Sequence, residues 1–152
     1  MTDNAFKKAV DSTIEIKNHY CSGLQAIKGN ERKMIVSKDP KKISGSVDID
    51  NALTKLDPHG ARWDYAIGYE DKAYFVEVHP ANTSNIQEMI NKVDWLKKWL
   101  KEKAASLNAI GDKTFYWVPS GKVAILKNSP QHRKLSQNKL RIATPIMSLP
   151  PK

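Results

Sequence analysis

RWDYAIGYEDKAYFVEVHP, residues 62–80, is the stretch whose reading decides the fold. It reads as two short strands around a tight turn. Side chains alternate between the faces of a strand, so Glu77 and His79 share one face. A two-residue turn at Glu70–Asp71 pairs Tyr69 with Lys72. Stepping back from that turn sets Asp64 opposite Glu77 and Arg62 opposite His79, and a four-residue loop, Tyr69–Lys72, leaves this register unchanged. Directly opposed residues have Cβ atoms about 4.5–5.5 Å apart. Two carboxylates at that distance repel each other unless something neutralises them, and a divalent cation does so well, because hard carboxylate oxygens suit Mg²⁺ or Mn²⁺. The opposite face, with Trp63, Tyr65, Ile67, Tyr69, Tyr74, Val76 and Val78, reads as a packing face. The acidic face carries Ala66, Gly68, Ala73 and Phe75, small enough for the most part to leave room for a substrate phosphate. The same residues also suit an ordinary polar outer face with Asp64 and Glu77 free in water.

Working outward from the hairpin, residues 5–28 read as a first helix on their three- and four-residue apolar spacing, with KGN as its end. KMIV, residues 33–36, is a strand candidate. Residues 48–56, DIDNALTKL, read as a short helix capped by Asp48 or Asp50, and DPHG, 57–60, as a loop. After the hairpin comes the strongest helical pattern of the chain, 84–107. Its stripe of Ile86, Met89, Val93, Leu96, Leu100, Ala104 and Leu107 stops before Gly111. KTFYWVP and KVAIL read as two strands joined by Ser120-Gly121, and SPQHRKLSQNKL as a short basic helix with Ser129 as cap and Pro130 in its first turn. RIATPIMSLP is a tail or an edge strand, Pro145 arguing against a central one. The expected class is α/β (α+β): a single domain over residues 1–152, with a central mixed sheet flanked by helices.

The chain has 152 residues, 40% hydrophobic and 27% charged, enough for one domain with a real core. No run approaches the ~18 apolar residues of a membrane helix, no signal-peptide pattern is seen, and the single cysteine, Cys21, excludes a cysteine-clustered zinc site. A cytoplasmic protein without membrane association is expected. The net charge of +9 is unevenly spread: from Lys97 onward 12 lysines and arginines face two acids, a net +10, whereas residues 1–96 carry 13 bases and 14 acids, a net −1. A basic segment of this kind, most pronounced over about 113–152, attracts polyanions by counterion release. Arg133, Lys134, Lys139 and Arg141 are the candidate phosphate contacts. Trp95 and Trp99, four apart among lysines, suit either stacking on bases or widening the packing face of the long helix. No phosphate-cradling loop, dinucleotide fingerprint or hydrolase triad is present.

An acid on one strand, an acid-x-Lys triplet on the next and a helix directly after resembles the PD-(D/E)XK nucleases, the group of restriction endonucleases and Holliday-junction resolvases. Asp64 matches the first acid and Glu77-Val78-His79 the triplet, with His79 where the family has lysine and Trp63 where it has proline. The resemblance spans residues 5–125 in element order and implies a restriction-endonuclease-like α-βββ-α-β core. It further implies a metal-dependent nuclease, DNA being favoured over RNA, with Mg²⁺ or Mn²⁺ held by Asp64, Glu77 and the carbonyl of Val78. His79 would orient or deprotonate the attacking water, as histidine accepts a proton near neutral pH. Family members often add an acid from the first helix, for which Glu15 is the candidate. The alternative is a decayed nuclease fold acting as a nucleic-acid-binding or protein-interaction module. The partner expected is nucleic acid, with a homodimer left open.

Overall fold

The computed structural model describes residues 4–143 and 146–151, so Pro145 lies outside the described residues. Its elements in order are α1 (Ala5–Asp11), α2 (Gly29–Arg32), β1 (Ile35–Ser37), β2 (Ile43–Asp48), α3 (Ile49–Leu53), β3 (Tyr65–Tyr69), β4 (Lys72–Ala81), α4 (Ile86–Lys103), α5 (Ala105–Ile110), β5 (Gly111–Val123), α6 (Pro130–Gln137), β6 (Leu140–Ile142) and β7 (Met147–Leu149), with short 3₁₀ turns at Lys17–His19, Pro40–Lys42 and Thr83–Asn85. Five strands form one mixed sheet in the order β2-β3-β4-β5-β6, and β1 and β7 form a separate parallel pair. β3 runs antiparallel to β2 and β4, while β5 and β6 run parallel to β4.

The hairpin register is the expected one. Tyr69 pairs with Lys72 and Tyr65 with Val76, the last pair of the ladder, and Asp64, just beyond it, meets Glu77 through a hydrogen bond from its backbone N–H. Glu70 supplies the turn with a left-handed φ of 55°. Tyr65, Ile67, Tyr69, Tyr74, Val76 and Val78 point into one apolar layer, closed by Ile27, Ile35, Met147 and Leu149. Ala66, Ala73 and Phe75 point into the other, under α1 and α4.

That second layer corrects the expectation of an open acidic face. A Cβ on Gly68 would collide with the Phe6 ring of α1, so the small residues make room for a helix and not for a substrate. Trp63 also changes sides. Residues 61–64 precede the regular strand, the alternation breaks there, and the indole is fully buried with Phe75 and Phe115.

The first helix is seven residues long, not 24. It ends at its cap, Ser12: the backbone N–H of Thr13 donates to the Val10 carbonyl, three residues back and not four, and the hydroxyls of Ser12 and Thr13 turn back onto the carbonyls of Lys8 and Ala9, both at 2.8 Å. KGN opens α2 instead of closing a helix. Residues 111–123 are one continuous strand, because β5 stays paired with β4 from Gly111 to Val123. β2, which has no clear sequence signature, is held between β3 and an isolated bridge from Ser46 to Cys21. The Asp48 cap of α3 and the Ser129 cap of α6 are as expected, accepting from the backbone N–H of Asn51 and His132. No helix among the described residues is long and apolar enough to cross a membrane.

Candidate functional site

The paired acids close a clasp between the two strands where the hairpin opens. The backbone N–H of Asp64 donates to Glu77 Oε1 at 3.0 Å, and the N–H of Val78 donates back to Asp64 Oδ2 at 3.0 Å. Each carboxylate has therefore one oxygen tied to the opposite strand. Glu77 is 1% exposed, beneath α4. Its second oxygen, Oε2, meets Lys92 Nζ at 2.9 Å, and the same ammonium donates to the carbonyl of Arg62 at 3.0 Å. Arg62 is pinned in turn by Asp50 (2.8 Å) and by the carbonyl of Asp57 (2.6 Å). The order of events along the chain explains the arrangement. β4 delivers Glu77 and His79, the 3₁₀ turn reverses the direction, and the second turn of α4 returns Lys92 over Glu77.

Sequence reasoning did not find Lys92, although a signal existed. Lys92 lies three residues after Met89 and four before Leu96, on the edge of the buried stripe, where a lysine needs a carboxylate. It supplies opposing charge that the sequence had assigned to a metal ion. His79 is present too, with Nδ1 3.7 Å from Glu77 Oε2 and Nε2 3.0 Å from Glu88 Oε1 on the first turn of α4. Its carbonyl accepts from the Trp117 indole at 2.9 Å. The structure thus brings Asp64, Glu77, Val78 and His79 together, and adds Lys92 and Glu88.

Burial sets the electrostatics. It pushes the Asp64 carboxyl up to about 6, against the Val78 N–H and Lys92, which favour the charged form. Burial and then the Asp64 charge push Glu77 up to about 8, again against Lys92. Burial alone would lower Lys92, but Glu77 and Asp64 outweigh it and the amine is raised. Burial also works against the Glu88 charge, yet the hydrogen bond and charge of His79 outweigh it and leave the carboxyl lowered. Near neutral pH the site therefore favours one ionised carboxylate, that of Asp64, beside the Lys92 ammonium, with the Glu77 carboxyl mostly protonated.

Glu15 is elsewhere. It follows α1 in an irregular segment and accepts from the Trp99 indole at 2.9 Å, two turns of α4 beyond Lys92. It shares no hydrogen bond with Asp64, Glu77 or His79, because the long first helix that was to carry it inward does not form. The four basic candidates do not make one patch. Arg133 is exposed on α6. Lys134 bonds Gln87 at 3.1 Å, at the His79 end of the sheet. Lys139 lines a cleft with Phe75 and Gly111, at the other end of β4. Arg141 pairs with Tyr116 and lies on the opposite sheet face from Glu77.

Two carboxylates suit a Mg²⁺ or Mn²⁺ ion that takes its remaining ligands from water and substrate phosphate. Of the oxygens such an ion would use, Asp64 Oδ1 makes no hydrogen bond among the described residues, whereas Glu77 Oε2 is already engaged by Lys92 and lies 3.7 Å from His79 Nδ1. No group of three or more His, Cys, Asp or Glu gathers closely enough to hold a metal among the described residues. Compared with known proteins, the chain significantly matches no family model, no curated protein and no solved structure.

Proposed function

We propose that this chain is a metal-dependent phosphodiesterase of the PD-(D/E)XK type, acting on nucleic acid, with Lys92 in place of the missing motif lysine. One observation carries the reading: Asp64, Glu77 and an ammonium 2.9 Å from Glu77 meet at one buried point, supplied by two strands and the helix that follows. Further support comes from the larger elements: with the short α2, β1, α3 and α5 set aside, the run α1, β2, β3, β4, α4, β5 is in keeping with the α-βββ-α-β order that the resemblance implies. The basic surface from Lys97 onward suits a polyanionic substrate.

In this reading Asp64 and Glu77 hold Mg²⁺ or Mn²⁺, with the carbonyl of Val78 as the third donor that the resemblance implies. Such an ion, when bound, lowers the pKa of a bound water and offsets charge on the phosphate. Lys92 has three donors and uses two, on Glu77 Oε2 and the Arg62 carbonyl, so its third is left for a substrate oxygen. Asp50 and Arg62 keep that amine in place. His79 hands its Nε2 to Glu88, which orients the ring beside Glu77 instead of freeing it as an independent base.

A second reading has its own observation. The clasp is complete without a ligand, since Lys92 already answers Glu77. The chain then keeps the fold as a nucleic-acid-binding module without cleavage. Assays on plasmid, single-stranded and branched DNA and on RNA, with Mg²⁺ and Mn²⁺, separate the two. The enzyme reading expects cleavage that is abolished in Asp64→Asn and Glu77→Gln and falls at least a hundredfold in Lys92→Met. Absence of cleavage with every substrate and metal, together with retained binding, favours the module.

A further inference from the structure

We infer that the cleft beside Trp95 is a nucleobase-binding subsite that takes an unpaired base of a strand lying across the acidic site. The inference rests on the nucleic-acid reading above. Lys92, Trp95 and Trp99 fall at positions i, i+3 and i+7 of α4, hence on one face, and at 1.5 Å per residue Trp95 is about 4.5 Å further along the axis than Lys92. The two indoles are stacked, with centroids 6.0 Å apart and planes 7° from parallel.

Both indoles are fixed by hydrogen bonds. Trp95 Nε1 donates to Asp57 Oδ2 at 2.8 Å and Trp99 Nε1 to Glu15 Oε1 at 2.9 Å. The Asp57 carboxylate occupies the space that a Cβ at Gly60 would need, so this loop accommodates it only with glycine there. Trp99 is 6% exposed and serves as backing, whereas Trp95 is partly open. The resulting cleft has a volume of about 390 Å³, with Lys98 and Lys103 at its rim. Neither lysine makes an ion pair with a described residue. Leu56, 62% exposed, forms an apolar wall.

The chemistry around the cleft matches a nucleotide part by part. An aromatic platform stacks a base face, a preference that is tolerant of sequence because every base has one. The carboxylates of Asp57 and Glu15 each spend one oxygen on an indole, and the other can accept from a base amino group, as acids do from cytosine N4. The rim lysines suit the flanking phosphates. Cleft and acidic site are joined by one short segment: the Asp57 carbonyl accepts from the Arg62 guanidinium, and the Arg62 carbonyl accepts from Lys92. The Trp95–Trp99 pair thus has a use beyond packing, and Glu15 belongs to this cleft and not to the acidic cluster.

The test uses the full chain without divalent metal, at low salt. A labelled deoxycytidine 12-mer is compared with an abasic 12-mer of the same charge. The wild type is expected to bind the cytidine oligomer about tenfold more tightly, with quenching of tryptophan fluorescence by that oligomer alone. Trp95→Leu should bring the two affinities within twofold and leave abasic binding unchanged. Leu56→Glu, at an exposed position that folding tolerates, should also reduce the base preference, and keeps the test open if Trp95→Leu does not fold. Equal affinities in the wild type, or a preference that survives both variants, would overturn the subsite while leaving nucleic-acid binding intact. No binding of either oligomer would overturn the subsite and the nucleic-acid reading together.

Discussion

The two faces of the β3–β4 hairpin share one backbone and follow opposite rules. On one face Tyr65, Ile67, Tyr74, Val76 and Val78 fill an apolar layer. On the other, Ala66, Ala73 and Phe75 are followed at the open end by Asp64, Glu77 and His79. Both faces are covered, one by β1 and β7 and the other by α1 and α4. Burial of a carboxylate is unfavourable unless it is paired and hydrogen-bonded, and replacing a buried ion pair by apolar groups is often stabilising. The apolar face shows that this sheet does not need charge to pack. The clasp is the part of this hairpin that the proposed function uses, and the variants below challenge the contrast between the faces in order of expected effect.

Lys92→Met should be the most damaging to stability, because it leaves Glu77 buried and unpaired. A loss of about 3–5 kcal/mol is expected in urea unfolding, smaller at pH 5 than at pH 8, because Glu77 is protonated at the lower pH. Lys92→Met combined with Glu77→Leu should recover most of that loss.

The pH dependence comes next. The folded-state pKa of Glu77 is raised from 4.5 to about 8, so between these values the folded chain binds more protons than the unfolded one. Stability is then full below about pH 4.5 and falls as pH rises toward 8, by at most about 1.4 kcal/mol per pH unit. Asp64, raised from 3.8 to about 6, adds the same sign over its own lower window. Melting curves from pH 5 to pH 8 should show this slope in the wild type and a flatter one in Glu77→Gln. An equal slope in both would mean that Glu77 ionises normally.

On the apolar face, Val76→Ala should cost about 2 kcal/mol through lost burial and a cavity, with no change in the pH slope. A Val76→Ala slope that differs from wild type would blur the distinction between the faces. The smallest effect is expected for Tyr65→Phe, which removes the 2.6 Å hydrogen bond from the Tyr65 hydroxyl to Glu31, at about 1 kcal/mol.

The hairpin, its even turn and the Asp64–Glu77 pairing were legible in the sequence because they depend on alternation and turn length alone. So were the caps at Asp48 and Ser129 and most of α4. Local pattern failed where distant contacts decide. Nothing in the apolar spacing of residues 5–28 announces that the helix ends at Asp11. Ser120-Gly121 looks like a turn until β4 is there to keep β5 extended. Trp63 changes faces because it stands just before the regular ladder. The candidate site was half legible: the strand acids follow from period two, but Lys92 reaches them from another element, and its pairing with Glu77 depends on how α4 settles on the sheet.

The central proposal, that the clasp is a working metal site and not a relic, is tested most directly by titrating Mn²⁺ into the chain at pH 8 and reading bound ion by electron paramagnetic resonance. The account predicts one Mn²⁺ per wild-type chain, lost in Glu77→Gln and in Asp64→Asn, and bound more tightly in Lys92→Met if that variant folds, because the competing ammonium is gone. A wild type that binds no Mn²⁺, or binding that survives Glu77→Gln unchanged, would contradict it.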